Sequence, residues 1–355
     1  MNTPRPTRAF TLIELLVSIS VVLILAGILV VGVRYANRAA KGAVDRAMVN
    51  SLKVGVEQFR QDFGFVPPLV QDQAIPSLSR PGITSFPINT FQDSVTNGTR
   101  RAPAAFSFGL SDSNRAMRDY LRADGYISTG VIDPTGDDRN RADRRFSVRS
   151  LAYYIVGALP KDIDGVEGPG YNAPSRDGSF ALDAARGAKP YTPSFDIAKY
   201  PTALAIEDAG NGLVEIRDRG GVAVRFYRWL PGVAGQSEQV LEQGNRVFYN
   251  VPSVLVDPNL ADPNDLRNNN RSAFSNRRAD MDPRSNTQLR TAGYAIVAAG
   301  PNGLFGDLGT EIALNADPQD ARTDMRVKLG LGRDADDLKI KEAAREDNVI
   351  EVGAP

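Results

Sequence analysis

The chain has 355 residues, with 42 basic and 42 acidic side chains, and it contains neither cysteine nor histidine. The balanced charge gives no general attraction to nucleic acid, so no nucleic-acid partner is expected. The missing cysteines exclude disulfides and thiolate zinc sites, and the missing histidines exclude Ser-His-Asp and Cys-His catalytic sites. A hydrophobic content of 42% is enough for a core in one large domain or two ordinary ones.

The N-terminal segment begins with a short polar leader, residues 1–9, which carries Arg5 and Arg8 and no acidic residue. A long apolar run follows, and from Leu15 to Val33 no residue is charged. As a helix these residues rise about 28 Å, close to the thickness of the hydrocarbon core of a bilayer. The pattern predicts a transmembrane helix over residues 10–34, with Glu14 as an unexpected carboxylate near its start.

Three interpretations of this segment compete. A secretory signal peptide cleaved near Ala39-Ala40 needs a shorter apolar core than this one, and Glu14 interrupts the start of the run. A plain signal anchor explains the length and the basic leader, but it does not explain the glutamate. The third interpretation accounts for all of these features, because residues 9–28, AFTLIELLVSISVVLILAGI, closely resemble the signal of type IV prepilins and type II secretion pseudopilins.

This resemblance implies a processing site and an assembly contact. A prepilin peptidase on the cytoplasmic face would cut between Ala9 and Phe10, and the new amino group of Phe10 would be methylated. Glu14 of one subunit would then meet the Phe10 amine of a neighbour, because an intramembrane carboxylate is costly unless it is paired. In the alternative, Glu14 lies at the headgroup level and is solvated. The chain departs from the family pattern at Ala9, where Gly is usual, and at Val31, where Pro is frequent.

Residues 35–66 are predicted to continue the helix as an amphipathic segment, so that one helix of about 80 Å runs from Phe10 to Phe63. Pro67-Pro68 should end it. The segment DRAMVNSLKVGVEQFRQDFGFVPP also resembles the junction between helix and head in pseudopilins. The apolar residues recur at helical spacing: Ala36, Ala40, Ala43/Val44, Ala47/Met48, Leu52, Val56, Phe59 and Phe63.

The remaining residues, 67–355, are interpreted as a globular head. Strands are predicted at 222–230, 246–256 and 292–300, and the first has the alternation of a half-buried strand. A short helix is predicted at 115–127, whereas 148–159 is a buried helix or strand that periodicity does not distinguish. The resulting fold class is α+β and pilin-like, with the long N-terminal helix packed on an antiparallel sheet. Residues 67–110 and 257–290 contain long polar loops.

Near the C-terminus, GYAIVAAGPNGLFGD and the later REDNVIEVG resemble the strand, turn and acidic segment that close many pseudopilin heads. Asn302 stands where Asp is usual and Leu304 where Lys is usual. In major pseudopilins this loop binds calcium, and the corresponding candidate ligands here are Asp307, Glu311 and Asp347. In the alternative, a Gly-Pro-Asn turn is flanked by solvated carboxylates and no cofactor is bound. The glycines of residues 300–306 lack the context of a nucleotide-binding loop.

The resemblance implies a structural function without catalysis. The chain would be a single-pass protein of the inner membrane with its head in the periplasm, and it would enter a pseudopilus or a type IV-like filament. Its partners would be prepilin peptidase, other pilin or pseudopilin subunits and the inner-membrane assembly platform. An alternative is a membrane-anchored periplasmic binding module whose binding surface is formed by the loops at 67–110 and 257–290. A carboxylate-dependent hydrolase is a third hypothesis, but the sequence indicates no converging pair of acids.

Overall fold

A computed structural model describes most of the long N-terminal helix and much of the head. The described residues form a long helix followed by an antiparallel sheet, which confirms the α+β class. Predictions for residues 1–11 and for most of the two long loops lie outside them. The described residues are 12–69, 126–128, 141–143, 146–158, 165–167, 169–174, 190–200, 203–208, 213–230, 238–242, 245–249, 251–257, 281–283, 285–307 and 318–355.

The helix α1 spans Leu12–Phe63, 52 residues without a proline, and is about 78 Å long. It ends where Gly64 adopts a left-handed conformation, with φ of 75°, and donates its N–H to the Arg60 carbonyl at 2.8 Å. Glycine reaches this conformation without a steric penalty, which makes it a common helix terminator. Pro67-Pro68, which the sequence predicted would end the helix, come three residues after this glycine.

A four-stranded antiparallel sheet forms the centre of the head. Its strands are β3 (Phe146–Ser147), β6 (Arg225–Arg228), β9 (Tyr294–Ala298) and β10 (Val349–Gly353), and their order is β10-β9-β6-β3. In the register of the sheet, Ile296 of β9 lies opposite both Phe226 and Glu351. Strands are therefore found within 222–230 and 292–300, as the sequence predicted.

The described part of the chain also contains three separate two-stranded antiparallel sheets. They pair β1 (Tyr126–Ser128) with β2 (Arg141–Asp143), β4 (Leu204–Asp208) with β5 (Leu213–Ile216), and β7 (Glu238–Glu242) with β8 (Asn245–Tyr249). The strand predicted over 246–256 is only partly correct, because a short 3₁₀ turn, Ser253–Leu255, follows β8. The helix predicted over 115–127 is wrong at its end, where β1 begins, and residues 115–125 lie outside the described part.

The main hydrophobic core lies between one face of the sheet and the second half of α1. The segment 148–159, which the sequence left open, contributes a buried π-helical turn, Ala152–Val156. Burial on α1 begins near Asp45, so Ala36 and Ala40 of the predicted apolar stripe are exposed. The core side chains from α1 are Met48, Val49, Leu52, Val56 and Phe59.

The opposite face of the sheet is also covered, which corrects the prediction of a half-buried strand at 222–230. All four residues of β6 are buried, and Trp229 just after it is 1% exposed. The helix α2 (Thr287–Thr291) and the turn at 251–256 pack over this face. Alternating side chains of β6 and β9 therefore enter two different cores.

Two C-terminal helices, α3 (Pro318–Leu329) and α4 (Asp337–Arg345), were not predicted from the sequence. Asp336 caps α4 by accepting the N–H of Lys339 at 2.9 Å. The Arg322 guanidinium lies 3.0 Å from the Asp337 carboxylate and joins the two helices. A small third core lies between α3, α4 and Leu304.

Candidate functional site

The first half of α1 presents an apolar surface that the head does not cover. Between Leu12 and Val33 the large apolar side chains are 49–81% exposed. By length and composition, α1 is the one helix in the described part of the chain that is long and apolar enough to cross a membrane. Such a surface is stable in a bilayer or against other apolar helices.

Glu14 lies in the first turn of α1, and its side chain is exposed. A carboxylate at this end of a helix interacts favourably with the helix dipole. The hydroxyl groups near it bond within the helix, since Ser18 Oγ donates to the Glu14 carbonyl at 2.7 Å and Ser20 Oγ to the Leu16 carbonyl at 2.9 Å. Ala9 and Phe10, the residues of the predicted processing site, lie outside the described residues.

Ion pairs connect the last strand of the sheet, β10, and the region just before it to the second half of α1. Lys53 Nζ lies 2.9 Å from the carboxylate of Glu351 on β10. Arg38 of α1 pairs with Asp347, just before the same strand. The two partners of each ion pair are about 300 residues apart in sequence, so no local sequence pattern predicts these pairs.

A hydrogen bond within the same interface is partly buried. The Tyr294 hydroxyl on β9 donates to the Glu57 carboxylate of α1 at 2.5 Å. Burial raises the pKa of Tyr294 strongly, and the negative charge of Glu57 raises it further. Arg60, one turn later, donates to the carbonyl of Ala354 at 3.3 Å. The C-terminal end of the head is thus bonded along α1.

The three predicted calcium ligands are not seen together in the structure. Asp307 is buried and lies 3.5 Å from the Arg225 guanidinium, whereas Asp347 pairs with Arg38 on α1. Glu311 lies outside the described residues. Within the ranges that the structure describes, no cluster of three carboxylates could hold a metal ion. Calcium binding therefore stays a prediction, and the two visible carboxylates have arginine partners.

The Gly-Pro-Asn turn after β9 connects the sheet to α4. Gly300 has φ of 68°, and a Cβ there would lie 2.2 Å from the Asp347 carbonyl, so only glycine fits. The Asn302 amide donates to the Ala344 carbonyl at 2.7 Å, and its Oδ1 accepts the N–H of Leu304 at 2.8 Å. Asn302 therefore uses both halves of its amide, and an aspartate could not make the first bond.

A pair of buried carboxyl groups, Asp45 of α1 and Asp218 of the turn after β5, was not found by sequence reasoning. Asp45 Oδ1 accepts the N–H of Arg219 at 2.9 Å, and Asp218 Oδ1 accepts the N–H of Val222 at 2.9 Å. The second oxygen of each group is buried and has no hydrogen-bond partner in the described part of the chain. Asp45 is fully buried and Asp218 is 3% exposed.

This burial raises the pKa of both carboxyl groups. Desolvation raises the pKa of Asp218 to about 6, and the nearby Asp45 charge contributes to the rise. Desolvation likewise raises the pKa of Asp45, although the Arg219 N–H bond and the charges of Arg219 and Lys41 oppose it. A signal for Asp45 existed in the sequence, since it lies two helical turns before Leu52 on the face that the head buries.

A comparison with protein-family models matches residues 4–30 to the prokaryotic N-terminal methylation motif. Searches of curated proteins and of solved structures found no match. The matched residues include the predicted processing site and Glu14, and they end inside the exposed apolar half of α1. The motif implies processing by prepilin peptidase and assembly with other pilin subunits. The chain carries the prepilin-type signal found in type IV pilins and pseudopilins, which supports a membrane-anchored, pilin-like or pseudopilin subunit.

Proposed function

We propose that this chain is a structural subunit of a type II secretion pseudopilus or a related type IV-like filament. The observation that carries the proposal is the methylation motif at residues 4–30, which runs directly into a helix with an exposed apolar half. Before assembly the subunit is stored in the inner membrane with its head in the periplasm. An assembly platform in that membrane then adds it to the filament.

Assembly depends on Glu14. Cleavage before Phe10 creates a positive amino terminus four residues ahead of this carboxylate. An unpaired ion in a low-dielectric environment carries a penalty of several kcal/mol, so pairing Glu14 with the amine of a neighbouring subunit favours the assembled register. The exposed apolar side chains that follow would pack against the same segment of neighbouring subunits, as helices do in a bilayer.

The second half of α1 connects the head to the exposed apolar segment between Leu12 and Val33, which we call the packing segment. Its apolar face is buried in the main core, and its polar side chains bond to β9 and β10, as Tyr294 does to Glu57. A force on the packing segment therefore reaches the sheet through both apolar and polar contacts. A filament subunit whose head is carried by its packed N-terminal helix requires such an attachment. Catalysis forms no part of the proposal.

The test replaces Glu14 with alanine in the full-length chain. Glu14→Ala should abolish filament assembly, whereas the protein stays in the membrane fraction with a folded head. Ser18→Ala, one turn later in the same apolar segment, is the matched control and should assemble normally because its hydroxyl bonds to the Glu14 carbonyl of its own helix. Electron microscopy of shear fractions measures assembly. Normal filaments from Glu14→Ala would contradict the proposed function.

A further inference from the structure

The turn at 217–223 contacts α1 through the carboxyl pair, Asp45 and Asp218. The N–H of Arg219 bonds to Asp45 across this interface, while Asp218 accepts the N–H of Val222 within its own turn. One oxygen of each carboxyl group has no hydrogen-bond partner among the described residues, although both are buried. Two ionised carboxylates buried in this position repel each other and carry a desolvation cost, so the ionised pair opposes the contact.

We propose that Asp45 and Asp218 are a proton-dependent contact between α1 and the head, strengthened when the pair holds one proton and weakened when both groups are ionised. The inference concerns the folded chain alone and does not depend on the proposed function. A proton on one group removes the repulsion and leaves a single carboxylate. That carboxylate is stabilised by the backbone N–H groups that already bond to the pair.

The charged groups around the carboxyl pair do not remove the proton dependence of the contact. Lys41 lies one turn before Asp45 on α1, and Arg219 lies beside Asp218 on the turn. Both lower the pKa of Asp45, yet its pKa is still raised overall because desolvation is the largest effect. The backbone N–H of Gly300, on the turn at 300–302, favours the ionised form of Asp218 and lowers its pKa in part. The positive charges therefore compensate Asp45 in part and leave Asp218 as the group that titrates near pH 6.

The direction of the pH dependence follows from the raised pKa. The folded chain binds the proton more tightly than the unfolded chain, in which an aspartate titrates near its ordinary pKa of about 3.9. Protonation therefore stabilises the fold at mildly acidic pH, and this stabilisation is lost as the pH rises through about 6. The contact between α1 and the turn should be weaker at pH 8 than at pH 5.

The experiment follows thermal unfolding of the full-length protein in detergent by the fluorescence of Trp229, the single tryptophan of the chain. Asp218→Asn imitates the protonated group, so it should raise Tm by about 3 to 6 °C at pH 8 and by about half as much at pH 5, where the unfolded chain is already ionised. Asp45→Asn should act in the same direction. The double variant should gain less than the sum of the two, because either substitution removes the same repulsion.

Asp337→Asn is the matched control, because Asp337 is a largely buried carboxylate that has an arginine partner. It should lower Tm at pH 8 rather than raise it. The proposal is overturned if Asp218→Asn lowers Tm equally at pH 5 and pH 8, which would show that the ionised group is required. It is also overturned if calcium or magnesium ions raise the wild-type Tm at pH 8 and Asp218→Asn abolishes the effect, because the pair would then bind a metal ion.

Discussion

Replacing Asn302 with aspartate tests the structural role of the turn that follows β9. The two side chains have nearly the same shape, but the carboxylate cannot donate a hydrogen bond. The bond to the Ala344 carbonyl, at 2.7 Å, and the longer one to the Ala343 carbonyl, at 3.3 Å, are both lost. The bond from the Leu304 N–H to Oδ1 can persist. The substitution therefore removes the connection to α4 and keeps the turn.

Two effects determine how much the substitution lowers the free energy of unfolding. The lost hydrogen bonds contribute about 1 kcal/mol net. The new negative charge also lies beside the last carbonyls of α4, where the helix dipole is unfavourable for an anion by roughly 0.5 to 1 kcal/mol. The free energy of unfolding should fall by about 2 kcal/mol, which lowers Tm by roughly 4 to 8 °C.

Thermal unfolding of the full-length protein at pH 7 and pH 4 measures this effect. The loss at pH 7 should shrink at pH 4, because a protonated carboxyl group can donate to the Ala344 carbonyl again. Asn50→Asp introduces the same charge at an exposed position of α1 and serves as the control. An unchanged or higher Tm for Asn302→Asp at pH 7 would refute the role of Asn302 as a hydrogen-bond donor to the C-terminal end of α4.

Three further predictions concern the interface of α1 and the close approach at the turn. Phe59→Ala should lower the free energy of unfolding by about 3 to 5 kcal/mol, because the fully buried ring leaves a cavity in the main core; denaturant titration measures it. Lys53→Glu should destabilise by about 0.5 to 1 kcal/mol, and adding Glu351→Lys should restore most of the loss, as a double-mutant cycle can determine. Gly300→Ala should reduce the yield of folded protein in a solubility assay, because its Cβ would overlap the Asp347 carbonyl; wild-type yield would contradict this.

The helix and the central strands could be predicted because their signals are local. An uncharged run followed by helical spacing without proline predicts α1, and a short run of apolar residues before a Gly-Pro turn predicts β9. The sequence analysis did not predict the helices α3 and α4. For α4 local signals exist, because Asp336 is an N-terminal cap and the spacing of Ile340 and Ala344 gives an apolar face.

The contacts along α1 depend on distant parts of the chain, so the sequence could not place them. Ala36 and Ala40 share the helical spacing of the buried residues, yet burial of α1 against the head begins only near Asp45, and no local feature sets that limit. The carboxyl pair is formed by Asp45 and by Asp218, a residue more than 170 positions later. For the predicted calcium ligands, the arginine partner of Asp347 likewise lies on a distant helix.

The proposed function requires that the N-terminal segment is cut before Phe10 and that the new amino group is methylated. Mass spectrometry of the N-terminal peptide, from protein isolated from its membrane, measures both modifications. The expected result is a chain that begins with N-methylated Phe10. A chain that retains Met1, or one that begins near Ala39-Ala40, would contradict the proposal, because the amine that Glu14 is proposed to pair with would not exist.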